Sequence, residues 1–394
     1  MNVAIFASAF YPSLGGVEEL VRQLAHEYRS KGINTIVLVN QWPRSLPSRE
    51  IIEGIPVYRI PMRMPEYNLR VKTNYALAFP FARAKMLRVL RKHDIDILHV
   101  QCVSGNGHYA AVAARALGLP LIVTSQGERT MDAERVYEKS PFINKVMRRL
   151  LATGDRITAC SHDTLADLET FSGLHFADRG SVVYNGIRLE DFDGGEPYQH
   201  PRPYILGIGR HVAQKGFDVL LNAFAQSGLA THDLLLAGDG PEHTALQRLA
   251  SELLPAGRVT FLGRADRPKA VSLFRGCDFF VLPSRQEPLG IVNLEAMAAG
   301  KAVIASRTGG VPEIVADGET GILVAPGEAA ALAAAIRTVA TDSALRERLG
   351  AAGRERVRKF TWEAVATTYI QIYEAAIATK RSAPAGAISS PVLA

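Results

Sequence analysis

The sequence predicts an α/β protein made of two doubly wound domains whose parallel sheets face each other across a cleft. Three observations carry this. Short apolar strands alternate with helical stretches over the first 190 residues; a Gly-, Pro- and acid-rich stretch, "YNGIRLEDFDGGEPYQHPRP", breaks the pattern; and the alternation then starts again. Such alternation builds parallel sheets covered by helices on both faces. At 394 residues, 47% of them hydrophobic, the chain can fill two cores.

In the first half the strands read "VAIFAS", "NTIVLVN", "DILHV", "PLIVTS", "RITAC" and "VVYN". Helices are expected from Val17 to Lys31, Tyr75 to Lys92, His108 to Leu117, Pro141 to Ala152 and His162 to Phe171. This places one domain at residues 1–190 and a linker at 191–202, with the boundary near Pro201. The second domain, 203–360, takes "YILGIGR", "LLLAG", "VTFLG", "FFVLPS", "AVIAS" and "GILVA" as strands. After Phe360, "TWEAVATTYIQIYEAAIATK" is amphipathic, which predicts a helix over 361–378 packing back toward the first domain. The remainder, 379–394, ends in "RSAPAGAISSPVLA" without a periodic face and is expected to be a flexible tail. The segment between Gln41 and Asn74 reads as variable loops.

Cys102, Cys160 and Cys277 are widely spaced and form no ligand pattern, so a reducing cytosol and no structural zinc are expected. "MNVAIFASAF" starts directly as a strand, without the features of a signal peptide, and no run has the roughly 18 apolar residues of a membrane span. The net charge of +6 lies wholly in residues 1–190, where 24 Lys+Arg face 18 Asp+Glu. Arg59, Arg63, Arg70, Lys72, Arg83, Lys85, Arg88, Arg91 and Lys92 oppose Glu66 alone, interleaved with Tyr67, Tyr75, Phe79, Phe81, Met86 and Leu87. Two explanations compete: a solvated helix face, or a patch meeting an anionic membrane surface or acceptor. No recognition motif for nucleic acid accompanies the charge.

The most informative stretch is "EPLGIVNLEAMAAGKAVIAS", residues 287–306. It reads as a helix from Leu289 to Ala299, closed by Gly300 and followed by a strand. A helix apolar on nearly every side is a buried one, so Glu295 needs a partner; Glu287 lies just before the helix. Upstream, Arg210 ends a strand and Lys215-Gly216 opens a helix. Two cations beside a helix N-terminus suit a diphosphate, although two surface cations near a turn would read the same. Glycine turns at Gly15-Gly16, in "AGDGP" and at Gly309-Gly310 follow corresponding strands, each a possible anion contact or simply a tight turn.

Together, "GRHVAQKG", "EPLGIVNLEAMAAGKAVIAS" and "TGGVPEIVADGETGILV" resemble the donor-binding half of glycosyltransferase family 4, retaining nucleotide-sugar enzymes of GT-B fold. "FYPSLGGVEELVRQLA" and "VYNGIRLEDF" are compatible with its first half. The resemblance covers residues 1 to about 378, most specifically 204–326. It implies a GT-B architecture of two Rossmann-like domains and a UDP- or GDP-sugar as donor, with no obligatory cofactor or metal. The implied acceptor is a glycan, a lipid-linked sugar or a small molecule, in cell-surface polysaccharide or glycolipid synthesis. It implies that Arg210 and Lys215 hold the diphosphate, that Glu287 contacts the transferred sugar, and that Glu295 accepts from the ribose hydroxyls. The backbone around Leu289, Gly290 and Ile291 would meet phosphate or sugar oxygens, and Gly15 and Gly16 would approach donor or acceptor. For Glu295 the alternative is a buried ion pair with a nearby arginine.

One departure from the family concerns the triplet Gln126-Gly127-Glu128, where many relatives place a histidine before glycine. Gln126 cannot act as a base but can hydrogen-bond a sugar hydroxyl. Glu128, and after it Asp132, become candidates to orient the acceptor. His99, His108 and His162 are further candidates, each more simply structural. Asp94-Ile95-Asp96 fits the D-x-D pattern of metal-dependent transferases but reads as a solvated turn, and Lys301 reads as charge at a helix C-terminus rather than a Schiff-base lysine. An isomerase or phosphorylase on the same fold, or a sugar-nucleotide binder without chemistry, are the alternatives. The expected location is cytoplasmic, peripheral at the inner face of the plasma membrane.

Overall fold

The computed structural model describes residues 1–13, 15–65, 69–132 and 136–382. In the first half the strands are β1 (Asn2–Ala7), β2 (Asn34–Asn40), β3 (Arg49–Ile52), β4 (Ile55–Ile60), β5 (Ile97–Gln101), β6 (Leu121–Ser125), β7 (Arg156–Ala159) and β8 (Gly180–Val182). The helices are α1 (Gly16–Ser30), α2 (Leu69–Lys92), α3 (Gly105–Leu117), α4 (Val136–Lys139), α5 (Pro141–Thr153) and α6 (His162–Ser172). The strands join in the order β3-β4-β2-β1-β5-β6-β7-β8, parallel throughout except where β3 pairs antiparallel with β4. That hairpin lies in the segment expected to be loop. Its turn, Glu53-Gly54, has φ of 48° and 79°, the geometry that closes a two-residue hairpin.

The second half supplies β9 (Tyr204–Ile208), β10 (Asp233–Ala237), β11 (Val259–Gly263), β12 (Phe279–Leu282), β13 (Ala302–Ser306) and β14 (Gly321–Val324). Its helices are α7 (Phe217–Ser227), α8 (His243–Leu253), α9 (Arg267–Gly276), α10 (Ile291–Ala298), α11 (Val311–Ile314), α12 (Ala329–Thr341), α13 (Ser343–Arg356) and α14 (Trp362–Ser382). The sheet runs β11-β10-β9-β12-β13-β14, all parallel. Strands β5, β6, β10, β12 and β13 are buried along their whole length, as continuous apolar runs covered on both faces must be.

Although it follows the second sheet, α14 completes the core of the first. Trp362, Val365, Ala366, Tyr369, Tyr373 and Ala376 pack with Val3, Ile5, Leu24 and Tyr28. The helix continues to Ser382, through positions 379–382 expected in the tail, with Lys380 held 3.0 Å from Asp155; residues 383–394 lie outside the described residues.

The basic stretch divides. Arg59 is 1% exposed and pairs with Glu50 at 2.7 Å while donating to the Tyr11 and Pro47 carbonyls, so it belongs to the interior. On α2, Ala82, Met86 and Leu90 face the core, whereas Leu77 and Phe81 are 67% and 79% exposed among Lys72, Arg83, Arg88, Arg91 and Lys92. Glu66, Tyr67 and the Arg70 side chain lie outside the described residues. Among the described residues no helix is long and apolar enough to cross a membrane.

Candidate functional site

In each sheet the chain reverses its direction of winding once, between β1 and β5 and between β9 and β12, and open α/β sheets bind ligands at the carboxyl ends of such strands. The loops leaving β9 and β12 bring Lys215 and Glu287 together. Lys215 ends a single 3-10 turn before Gly216, the cap of α7, and its Nζ forms an ion pair with Glu287 Oε2. Ser284 Oγ donates to the same oxygen at 3.0 Å. The Lys215 and Glu287 side chains are 14% and 6% exposed, so the pair is nearly enclosed, whereas Arg210 stands exposed beyond the end of β9.

Gly290, at φ 86°, caps α10, so the helix begins at Ile291 rather than Leu289, and Leu289, Gly290 and Ile291 line its N-terminus. The Gly309-Gly310 loop seats Glu287 from the other side. Gly310 N–H donates to the Glu287 carbonyl at 3.1 Å, and a Cβ on Gly309 (φ 53°) would lie 1.9 Å from that carbonyl oxygen. Any side chain at 309 would displace the backbone that carries Glu287.

Glu295 has an arginine partner. Asp266 caps α9 by accepting from Lys269 N–H, which places Arg267 at the first helical position. From there Nη1 pairs with Glu295, while Nε and Nη2 reach Asp191 at 3.0 and 2.9 Å. Burial pushes the Glu295 carboxyl above its ordinary range, and the Arg267 charge pulls against that shift without cancelling it. This is the ion pair that competed with a ribose contact. Arg267 was not singled out from sequence, although Asp266-Arg267-Pro268 is a legible helix start after a strand.

On the facing domain, Gly15 caps α1 in extended conformation, and a Cβ on Gly16 would meet nothing within 4 Å. Glu128, expected to orient an acceptor, braces two loops. Its Oε1 accepts from Val103 N–H and its Oε2 from Ser125 Oγ and Gln126 N–H, all at 2.7 Å, tying the loop after β5 to the loop after β6. Asp132 accepts from the N–H groups of Val136 and Tyr137 and so holds the start of α4. The Gln126 amide accepts from Asn185 Nδ2 at 2.9 Å and donates to Gln101 Oε1 at 3.2 Å. His99 is fully buried; His108 packs among Tyr75, Phe79 and Phe142, where burial holds its pKa down at about 4. His162 is exposed at the start of α6.

The two domains touch beside the site. A Cβ on Gly127 (φ 78°) would fall 2.2 Å from Pro288 Cγ, and Glu313 accepts from the N–H groups of His162 and Asp163 at 3.0 and 3.3 Å. Asp94, Asp96 and Lys301 sit at the opposite, amino ends of β5 and β13, where Asp96 accepts from Asn2 N–H at 2.9 Å. Among the described residues no cluster of His, Cys, Asp and Glu is arranged to hold a metal ion.

Comparison with known proteins gives concordant results. Residues 14–191 match the family described as Glycosyltransferase Family 4, and residues 191–356 match Glycosyl transferases group 1. The chain is 30% identical over 377 residues to an alpha-maltose-1-phosphate synthase of Mycolicibacterium smegmatis, covering 88% of this chain and 95% of the relative. It is 29% identical over 392 residues to a GDP-mannose-dependent alpha-mannosyltransferase of the same organism, covering 96% and 98%. Among solved structures it is similar to a sucrose-phosphate synthase from Thermosynechococcus elongatus, with TM-score 0.79, 25% identity, and 96% and 99% of the two chains covered. The Anabaena HepE protein in complex with UDP shares the fold, with TM-score 0.75, 21% identity, and 95% and 100% covered.

Proposed function

The chain belongs to glycosyltransferase family 4, within the glycosyl transferases group 1, and from that premise we propose that this GT-B glycosyltransferase moves a hexose with retention from a nucleotide-diphosphate sugar. The acceptor is a glycan, a lipid-linked sugar or a small molecule in cell-surface polysaccharide or glycolipid synthesis. The donor is a UDP- or GDP-sugar, and one relative named above is GDP-mannose-dependent.

The observation that carries this is the Lys215–Glu287 pair at the β9/β12 reversal, beside the N-termini of α7 and α10. With a donor in place, Lys215 exchanges one anion for another, leaving Glu287 for the diphosphate and freeing Glu287 Oε2 to accept from sugar hydroxyls. As the bond from the anomeric carbon to the phosphate oxygen breaks, charge grows on the leaving diphosphate. Lys215, Arg210 and the N–H groups around Leu289, Gly290 and Ile291 meet it; one such group is commonly worth about 3 kcal/mol of barrier. No obligatory metal enters this account. Glu295 accepts from the ribose hydroxyls and keeps Arg267 as its charge partner. Gly15 and Gly16 let backbone approach donor or acceptor, and Gln126 offers its amide to a sugar hydroxyl.

The protein works in the cytoplasm, peripheral at the inner face of the plasma membrane. Leu77 and Phe81 projecting between the cations of α2 support contact with anionic lipid. The transfer is tested by incubating the protein with UDP-glucose or GDP-mannose and a panel of sugar acceptors, with the product linkage read by NMR. Retained anomeric configuration and insensitivity to EDTA are expected; inversion, or loss of turnover in EDTA, would overturn the mechanism.

A further inference from the structure

A buried polar chain leads away from the site and serves no step described so far. His99 and Gln101 lie two apart on β5 and so share a face; Tyr369 and Tyr373 lie four apart on α14 and cover it. Gln101 stands beside Thr124 of β6 in register. His99, Gln101, Thr124, Thr158, Tyr28 and Tyr373 are all 0% exposed, so each polar atom there must find its partner within the protein.

Amide N–H groups donate the first links. Asn185 Nδ2 donates to Gln126 Oε1 at 2.9 Å, Gln126 Nε2 to Gln101 Oε1 at 3.2 Å, and Gln101 Nε2 to His99 Nε2 at 3.1 Å. His99 Nδ1 meets the Tyr373 hydroxyl, which lies 2.9 Å from that of Tyr28. Thr124 Oγ1 is also 2.7 Å from His99 Nε2. The Gln101 amide N–H can only donate, so with that link made His99 Nε2 accepts, its proton sits at Nδ1 and the Tyr373 hydroxyl accepts from it; the Tyr373 and Tyr28 hydroxyls then share a bond that either can donate. Burial holds His99 neutral, its pKa pulled down to about 3, and its hydrogen-bond partners choose between the two neutral tautomers.

We propose that His99 and Tyr373 are positioning residues for sugar transfer: through Gln101 they fix which way the Gln126 amide faces. With its carbonyl committed to Asn185 and one N–H to Gln101, Gln126 keeps one N–H as the donor available to a sugar hydroxyl. This rests on the assignment of Gln126 to the reacting sugar. It also gives α14 a part in the reaction, because Tyr373 is contributed by the helix that returns from the second domain to the first.

Two measurements test it. In protein labelled with 15N at histidine, His99 is expected to show a protonated Nδ1 and an unprotonated Nε2, unchanged from pH 8 to pH 5; a protonated Nε2 reverses the links and overturns the proposal. Turnover is followed as nucleotide release from UDP-glucose or GDP-mannose, and if neither donor reacts the tautomer decides alone. Tyr373→Phe should lower kcat roughly 5- to 10-fold with donor KM within about 2-fold, and should change kcat less than about 2-fold when Gln126 is already alanine. Tyr204→Phe, which removes a buried hydroxyl donating to the Leu273 carbonyl at 2.8 Å in the second domain and touches no link of the chain, should lose stability and keep turnover. Equal losses from Tyr373→Phe in both backgrounds would show that Tyr373 does not act through Gln126, leaving the assignment of Gln126 intact. If Gln126→Ala itself leaves turnover unchanged, that assignment falls and the proposal with it.

Discussion

Replacing Lys215 by methionine keeps the length of the side chain and removes its charge. Glu287, 6% exposed at its side chain, then retains the Ser284 hydroxyl but loses its cation. Breaking one side of a buried ion pair costs about 3–5 kcal/mol, and because the Lys215 side chain keeps 14% of its surface in contact with water the lower end applies, about 3 kcal/mol. For a domain of roughly 200 residues this lowers the melting temperature by about 6–12 °C. Glu287→Gln in the same background removes the stranded charge and should recover about 2 kcal/mol, a coupling that thermal melts of the two single variants and the double variant would read. Turnover in Lys215→Met should fall roughly 10²- to 10³-fold, because the same cation is asked to meet the departing diphosphate. Additive melting shifts, within about 0.5 kcal/mol, would refute the pairing, and full turnover in Lys215→Met would refute its part in transfer.

Two further outcomes are expected. His99 is neutral in the folded protein, with a pKa near 3, and takes up a proton on unfolding below its ordinary value of 6.5, so its contribution is complete above pH 6.5 and lost progressively as pH falls toward 3. Over that window it amounts to on the order of 4 kcal/mol, and His99→Gln should flatten the acid limb of stability against pH; an unchanged limb would contradict the buried neutral ring. Leu77→Ser with Phe81→Ser should reduce sedimentation with phosphatidylglycerol vesicles and leave that with neutral phosphatidylcholine unchanged, whereas equal recovery of the unmodified protein with both vesicles would rule out anionic-lipid binding.

The apolar runs made the strand content of both sheets legible, because a parallel sheet buried on both faces leaves a continuous signal in the chain. In the hairpin β3–β4, β3 is short, at the sheet edge and half exposed, while the apolar run of β4 is interrupted by Pro56 and Arg59, and the one strong cue is the Glu53-Gly54 turn. Helix starts were misjudged where the backbone, not the side-chain pattern, sets them: Gly290 in left-handed conformation delays α10 by two residues. Charges were legible as charges but not as pairs. Arg59 reads as part of a surface patch and is buried against Glu50; the partners of Glu128, Val103, Ser125 and Gln126, come from two loops; the arginine facing Glu295 lies 28 residues upstream of it. Such pairings depend on loops brought together from different strands, and local periodicity carries no record of them.

The most direct test of the donor site is a thermal-shift series with UDP, GDP and ADP on the unmodified protein and on Glu295→Ala. A nucleotide at about 100 times its dissociation constant adds roughly 2.7 kcal/mol to the folded state. One of the three nucleotides should stabilise the unmodified protein, and that shift should vanish in Glu295→Ala, placing the ribose on α10. A shift that survives in the variant would move the nucleotide elsewhere, and no shift with any of the three would contradict a nucleotide site at the β9/β12 reversal.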